Sequence, residues 1–244
     1  TNIENVIGGS GADSILGSAT NETIAGGLGD DTLDGAGGTD TVFYGFATND
    51  MTVNLATGVV TGEGNDQISN FEGFVAGLGA DSITGSTGND TIWGNDGADT
   101  IAAGSGVDVL YGGAGNDTFI MTNDQADDRI YGGIGFDTID YSAITFDLTE
   151  TIREKEASIY DITDDAADQT DRYIGTTYNA DYLTDDSDDY YQGIEAFISG
   201  SGNDRLEFDP QQRANDQATG IYLDGGAGND TLIGGSNRAD TLVG

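Results

Sequence analysis

The sequence contains no cysteine, no histidine and a single proline, Pro210, among its 244 residues. Without cysteine it can form no disulfide, no thiolate nucleophile and no zinc–thiolate site. Without histidine it has no Ser-His-Asp triad, no zinc-protease helix motif and no imidazole base. Basic residues are scarce as well: 7 Lys and Arg stand against 44 Asp and Glu, for a formal net charge of -37. Nucleic acids and anionic membranes are recognised by basic surfaces, so neither is an expected partner. No apolar run approaches the length of a membrane span, and no signal peptide opens the chain. The pattern is already under way at Thr1, as expected of a piece of a longer protein.

What the chain has in quantity is glycine, 40 residues, and acid. Such a composition usually favours disorder. Regularly spaced Ile, Leu and Val argue otherwise. A compact form would repel itself unless cations neutralised it. The composition therefore fits a chain that is disordered alone and ordered with metal.

The order lies in an internal repeat. Gly26–Asp34 (GGLGDDTLD), Gly112–Ile120 (GGAGNDTFI) and Gly225–Ile233 (GGAGNDTLI) fit G-G-x-G-x-D-x-U-x at every fixed position, U being a large apolar residue. Counting in nines gives three arrays. The acidic position falls on Glu4, Asp13, Glu22, Asp31 and Asp40 in residues 1–43. In residues 72–141 it falls on Glu72, Asp81, Asp90, Asp99, Asp108 and Asp117, and after a two-residue slip on Asp128 and Asp137. In residues 195–244 it falls on Glu195, Asp204, Asp230 and Asp240. Ile3-Glu4, Phe71-Glu72 and Ile194-Glu195 open the arrays as degenerate first repeats.

Two spacers separate the arrays, residues 44–71 and 142–194. Met51–Leu55 alternates as a strand does, and Ile144–Leu148 is expected to be the same strand. Gly62–Ile68 is a weak copy of the repeat. An insertion of about forty residues, roughly 150–190, is rich in Asp, Thr and Tyr and reads as a surface excursion.

The chemistry of the motif is direct. Glycine permits positive φ and close backbone approach, so six residues can turn with their carbonyls aimed at one spot. The x-U-x triplet is a short strand with its apolar residue inward. Two nonapeptides make one coil of a right-handed parallel β-roll, an all-β solenoid. Ile15, Leu33, Ile83, Ile92, Ile101, Leu110, Phe119, Ile139, Leu206 and Leu232 should line its core. That core is thin. Same-edge repeats lie eighteen residues apart, which places Asp81 under Asp99 under Asp117, and Asp90 under Asp108. Carboxylates and turn carbonyls then offer the all-oxygen shell that calcium prefers, which magnesium with its tighter octahedron fits less well. One ion per same-edge pair gives on the order of ten ions. On the edge of Glu4, Glu22 and Asp40, the longer glutamate side chain should weaken or distort binding.

These motifs resemble those of the RTX (repeats-in-toxin) family of haemolysin-type calcium-binding proteins, including large secreted adhesins and surface-layer proteins. The resemblance rests on Gly26–Asp34, Gly85–Trp93, Gly112–Ile120 and Gly225–Ile233. It implies type I secretion from a Gram-negative bacterium, folding in extracellular calcium, and a parallel β-roll. It also implies that Asp13, Asp31, Asp40, Asp81, Asp90, Asp99, Asp108, Asp117, Asp137 and Asp230 are metal ligands. Asp128, Asp204 and Asp240 follow where repeats slip or lose glycines. The turn glycines Gly8, Gly26, Gly85, Gly94, Gly112, Gly132 and Gly225 belong to the same sites.

The function so implied is a calcium-rigidified structural segment at a cell surface or outside the cell, not an enzyme. Homotypic, carbohydrate or protein contacts, and continuation of the solenoid into neighbouring segments, are compatible with it. Two alternatives are a calcium-binding tail of a secreted polysaccharide-modifying enzyme and an adhesin module that binds through the 150–190 insertion. The insertion offers acid pairs such as Asp164-Asp165 and the tyrosines Tyr173, Tyr178, Tyr182, Tyr190 and Tyr191 as a binding surface.

Overall fold

A computed structural model describes residues 4–122, 126, 128–145, 148–152, 172–174, 190–192, 194–208, 220–234 and 239–244. Among these the regular structure is all strand, most of it three to six residues long. No helix in them is long and apolar enough to cross a membrane.

The strands stack into two main parallel sheets. One has the order Asn5–Gly9, Thr23–Gly27, Thr41–Phe43, Gly73–Val75, Thr91–Asp96, Val109–Ala114, Arg129–Ile134 and Tyr190–Gln192. The other begins with Ser14–Leu16 and Thr32–Asp34 and resumes with Ser82–Thr84, Thr100–Ala102, Thr118–Ile120, Thr138–Asp140, Ala196–Ile198, Tyr222–Asp224 and Thr241–Val243. The chain alternates between them, one strand per nonapeptide. Register follows the repeat: Ile83 pairs with Ile101 and Ile101 with Phe119, eighteen residues apart each time. This is the parallel β-roll expected from the repeat.

The first spacer enters the second sheet as three strands, Asn65–Ser69, Val59–Thr61 and Thr52–Asn54, between Thr32–Asp34 and Ser82–Thr84. Their mutual pairings are antiparallel, in contrast to the rest of the roll. The second spacer starts a third sheet, in which Leu148–Ile152 pairs with Arg172–Ile174 and with Arg205–Phe208, which in turn pairs with Thr231–Ile233. Apart from Leu148–Ile152, Arg172–Ile174 and Tyr190, the insertion lies outside the described residues.

One expectation is corrected here. Ile144–Leu148 is not the counterpart of the Met51–Leu55 strand. Ile144 sits in a turn, where its N–H donates to the Tyr141 carbonyl at 2.8 Å, as the Ala47 N–H donates to that of Tyr44 at 2.8 Å. The matching strand starts at Leu148, and Thr149 pairs with Arg205 as Thr52 pairs with Ser82. Alternation alone misjudged the start, because a buried turn residue such as Ile144 looks like a strand residue.

Inward positions form two files of apolar side chains. Ile24, Val42, Phe74, Ile92, Leu110 and Ile130 come from the first sheet, and Leu33, Ile68, Ile83, Ile101, Phe119, Ile139, Phe197 and Leu223 from the second. Ile15 and Leu232 are only partly buried. The core thickens at the spacer, where Tyr44, Met51, Val53, Val60 and Phe71 join it. Outside the first sheet, Trp93, Tyr111 and Tyr131 stack in register, with ring centroids 5.6 and 4.8 Å apart.

Each nonapeptide contributes one large inward side chain, so the loss of one should be felt in full. Ile101 is completely buried between Ile83 and Phe119. Ile101→Ala is expected to cost about 3 kcal/mol, read from denaturant midpoints in saturating calcium. A change within experimental error would contradict this core.

Candidate metal centre

The acidic position of each repeat lies at the roll's edge, at the end of a turn and directly before the next strand, as Asp99 stands before Thr100–Ala102. Its carboxylate points along the roll. Asp99 Oδ1 accepts the Asp81 N–H at 2.8 Å, and Asp117 Oδ1 accepts the Asp99 N–H at 2.9 Å. Asp137 continues this file by accepting from Asp117 at 2.9 Å. On the opposite edge Asp108 accepts from Asp90 and Asp128 from Asp108, both at 2.8 Å. The two-residue slip before Asp128 therefore leaves both files unbroken.

The other arrays follow the same rule. Asp31 accepts from Asp13 at 2.8 Å, and Asp40 from Glu22 at 2.7 Å. Asp230 accepts from Asp204 at 2.9 Å, and Asp240 from Ile221 at 3.2 Å. Glu72 and Glu195 take the same place. Glu72 Oε2 accepts the Asp40 N–H and Glu195 Oε2 the Asp137 N–H, each at 2.9 Å. Their longer side chains still reach the amide of the preceding coil.

One carboxylate oxygen thus ties neighbouring coils together. The second oxygen turns back under its own loop. Oδ2 of Asp31, Asp40, Asp99, Asp117 and Asp137 is buried and accepts no hydrogen bond. A buried carboxylate oxygen without a donor is costly unless a cation faces it.

The glycines make room for that oxygen. A β-carbon on Gly112 would collide with Asp117 Oδ2 and with the carbonyl oxygen of Gly132 in the next coil. At Gly94 it would meet Asp99 Oδ2 and the Gly112 carbonyl, and at Gly8 Asp13 Oδ2 and the Gly26 carbonyl. At Gly85 it would meet the Ala103 carbonyl and Asp90 Oδ2, and at Gly26 and Gly225 the Oδ2 of Asp31 and Asp230. Next to Gly112, Gly113 has φ +116, which a residue with a side chain rarely adopts. Each cradle is thus lined by a carboxylate oxygen of one coil and, at several, a carbonyl of the next. Among the described residues no three acidic side chains converge on one point. Any shell here is completed by main-chain carbonyls, the hard oxygen donors that calcium takes readily. The donor set fits the ion.

Not every carboxylate is equally open. Ser18 N–H donates to Glu22 Oε2 at 3.0 Å and the Thr20 hydroxyl to Oε1 at 2.6 Å. The Ser18 hydroxyl foremost, then that of Thr20, hold this carboxyl below its usual range. Ser86 likewise donates its N–H to Asp90 Oδ2 at 2.6 Å, and the Gly77 N–H reaches Asp81 Oδ2 at 3.1 Å. One file member lies outside the expected set. Asp66, in the weak repeat at Gly62–Ile68, accepts the Asp31 N–H at 2.8 Å. Its signal was Gly62-Glu63-Gly64-Asn65-Asp66 followed by Ile68, the motif with Thr61 in place of its first glycine.

Burial pushes several of these acids up. Asp99 rises to about 7 and Asp137 to about 6, in both cases chiefly because burial disfavours the charged form. Asp81, Asp90 and Asp117 shift the same way for the same reason. Without metal the folded form holds protons that the unfolded form releases, so its stability is present below about pH 4 and lost as pH rises toward 7. The metal-free chain should therefore gain β-structure on acidification from pH 7.5 to 4, seen by circular dichroism. Equal spectra at both pH values would contradict these shifts.

The family model for the RTX calcium-binding nonapeptide repeat (4 copies) matches residues 2–21, 7–42, 16–50, 75–110, 94–120, 123–140 and 222–238. The matched segments together span more than half of the chain. No curated protein sequence matches it. Repeats of this kind are structural calcium-binding units, and two of their nonapeptides make the eighteen-residue step of the carboxylate files. The chain belongs to the RTX family of calcium-binding repeat proteins.

Proposed function

We propose that the chain is a calcium-folded, calcium-stiffened structural segment of a secreted or cell-surface protein, without catalytic activity of its own. The observation that carries this reading is the row of buried Oδ2 atoms on Asp31, Asp40, Asp99, Asp117 and Asp137, which accept no hydrogen bond. Calcium would sit between same-edge coils. Its ligands would come from Asp13, Asp31, Asp40, Asp81, Asp90, Asp99, Asp108, Asp117, Asp128, Asp137, Asp204, Asp230 and Asp240 and from turn carbonyls near the leading glycines. About ten ions would cancel roughly half of the -37 charge. The Glu22 turn, whose carboxylate Ser18 and Thr20 already satisfy, would bind most weakly.

Three arrays, residues 1–43, 72–141 and 195–244, would form the calcium-loaded stretches. Release by type I secretion from a Gram-negative cell suits this chemistry, because the chain would stay unfolded where calcium is scarce and fold where it is plentiful. An ion that binds only the folded form stabilises it by mass action, about 2.7 kcal/mol at a hundredfold excess over the dissociation constant. With several ions the transition becomes steep in calcium. An adhesin stalk or a surface layer would use the resulting stiffness.

Small-angle X-ray scattering tests this reading. The calcium-free chain should have a radius of gyration of roughly 50 Å, the value for an unfolded chain of this length. Millimolar calcium should shrink it and produce the constant cross-section of a rod, and equal magnesium should not. A profile indifferent to calcium would overturn the proposal.

A further inference from the structure

One coil of the carboxylate file is built differently. After Asp31 the next member is Asp66, thirty-five residues on. Its Oδ1 makes the usual bond to the preceding coil, from the Asp31 N–H at 2.8 Å. Its Oδ2 is already engaged, because the Tyr44 hydroxyl donates to it at 2.7 Å. Both groups are deeply buried, Asp66 at 4% exposure and Tyr44 at 5%.

Tyr44 is held there from several sides. Its N–H donates to the Val75 carbonyl and its carbonyl accepts from the Ala47 N–H, both at 2.8 Å. Its ring stacks on Phe74 with centroids 5.6 Å apart. The loop beneath Asp66 has also changed. Five residues before Asp31, Asp99 and Asp117 stand Gly26, Gly94 and Gly112. Five before Asp66 stands Thr61, in a strand that runs antiparallel to Asn65–Ser69. The bare glycine that stands before Asp31, Asp99 and Asp117 is replaced here by a residue with a side chain.

A hydroxyl proton and a calcium ion do the same service for a buried carboxylate oxygen, and only one can occupy the position. We propose that the Tyr44 hydroxyl stands in for calcium at Asp66, so that the spacer coil is a metal-free rung at the end of the Asp13–Asp31–Asp66 file, between two calcium-linked arrays. Tyr44 decides which carboxylate of this file goes without an ion. The spacer coil then stays closed at calcium levels that empty the arrays on either side. This inference rests on the calcium reading of the other rungs.

Counting bound calcium by equilibrium dialysis and elemental analysis tests it in three variants. Asp66→Asn keeps the shape and can still hydrogen-bond Tyr44, and it should retain the full number of ions. Asp99→Asn should lose at least one. Tyr44→Phe removes one oxygen from the same space and should bind no fewer ions than the parent. It also supplies the count if Asp66→Asn does not fold. If Asp66→Asn or Tyr44→Phe loses an ion while folded, Asp66 or Tyr44 is a ligand and the metal-free rung is wrong. If Asp99→Asn keeps every ion, the calcium reading of the carboxylate files itself fails.

Discussion

Everything in this roll depends on stacking like charges. A coil of eighteen residues rises by one strand spacing, roughly 4.8 Å. The acids of successive coils are therefore forced into files, as in Asp81, Asp99, Asp117 and Asp137. Hydrogen bonds to the preceding coil's amide use one oxygen of each carboxylate and lock the register. The other oxygen remains in a buried, donor-poor cradle, where an unpaired charge is strongly unfavourable. The fold can resolve that conflict with a proton, a hydroxyl or a metal ion. The raised position of Asp99, the Tyr44–Asp66 bond and the calcium-binding character of the repeat family are these three solutions.

The thin core gives the conflict its weight. A nonapeptide buries one large side chain, such as Leu110 or Ile101, and leaves most of its turn exposed. Glycine adds flexibility to the unfolded chain and contributes no packing. The arrays therefore cannot rely on burial alone. The spacer at residues 44–71 has a broader core of Tyr44, Met51, Val53, Val60 and Phe71 and antiparallel hairpin pairings. There side chains as well as turn geometry close the coil.

Much of this was legible in the sequence because the period carries the geometry. A nine-residue repeat with Asp at the sixth place fixes which acids share an edge, and Asp90 under Asp108 followed from counting. The two-residue slip before Asp128 was visible, and the structure absorbs it without breaking the file. The Tyr44–Asp66 pair was not legible, since the two residues lie twenty-two apart and meet only through the spacer's fold. Asp66 keeps Gly62 and Gly64 but has Thr61 where a full repeat has its first glycine. The start of the second spacer strand was misread because burial at Ile144 comes from a turn. The duplication showed in the sequence at Phe71-Glu72 and Ile194-Glu195, and the structure extends it. Tyr44, Ala47 and Glu72 recur as Tyr141, Ile144 and Glu195, with the same main-chain bonds.

Far-UV circular dichroism through a calcium titration, with magnesium as the control, tests the central claim most directly. The account predicts a cooperative change from coil to β-structure between sub-millimolar and millimolar calcium, reversed by chelator and not reproduced by magnesium. A β-spectrum that persists unchanged in chelator at neutral pH would show that the carboxylate files are stable without their ions, and would contradict it.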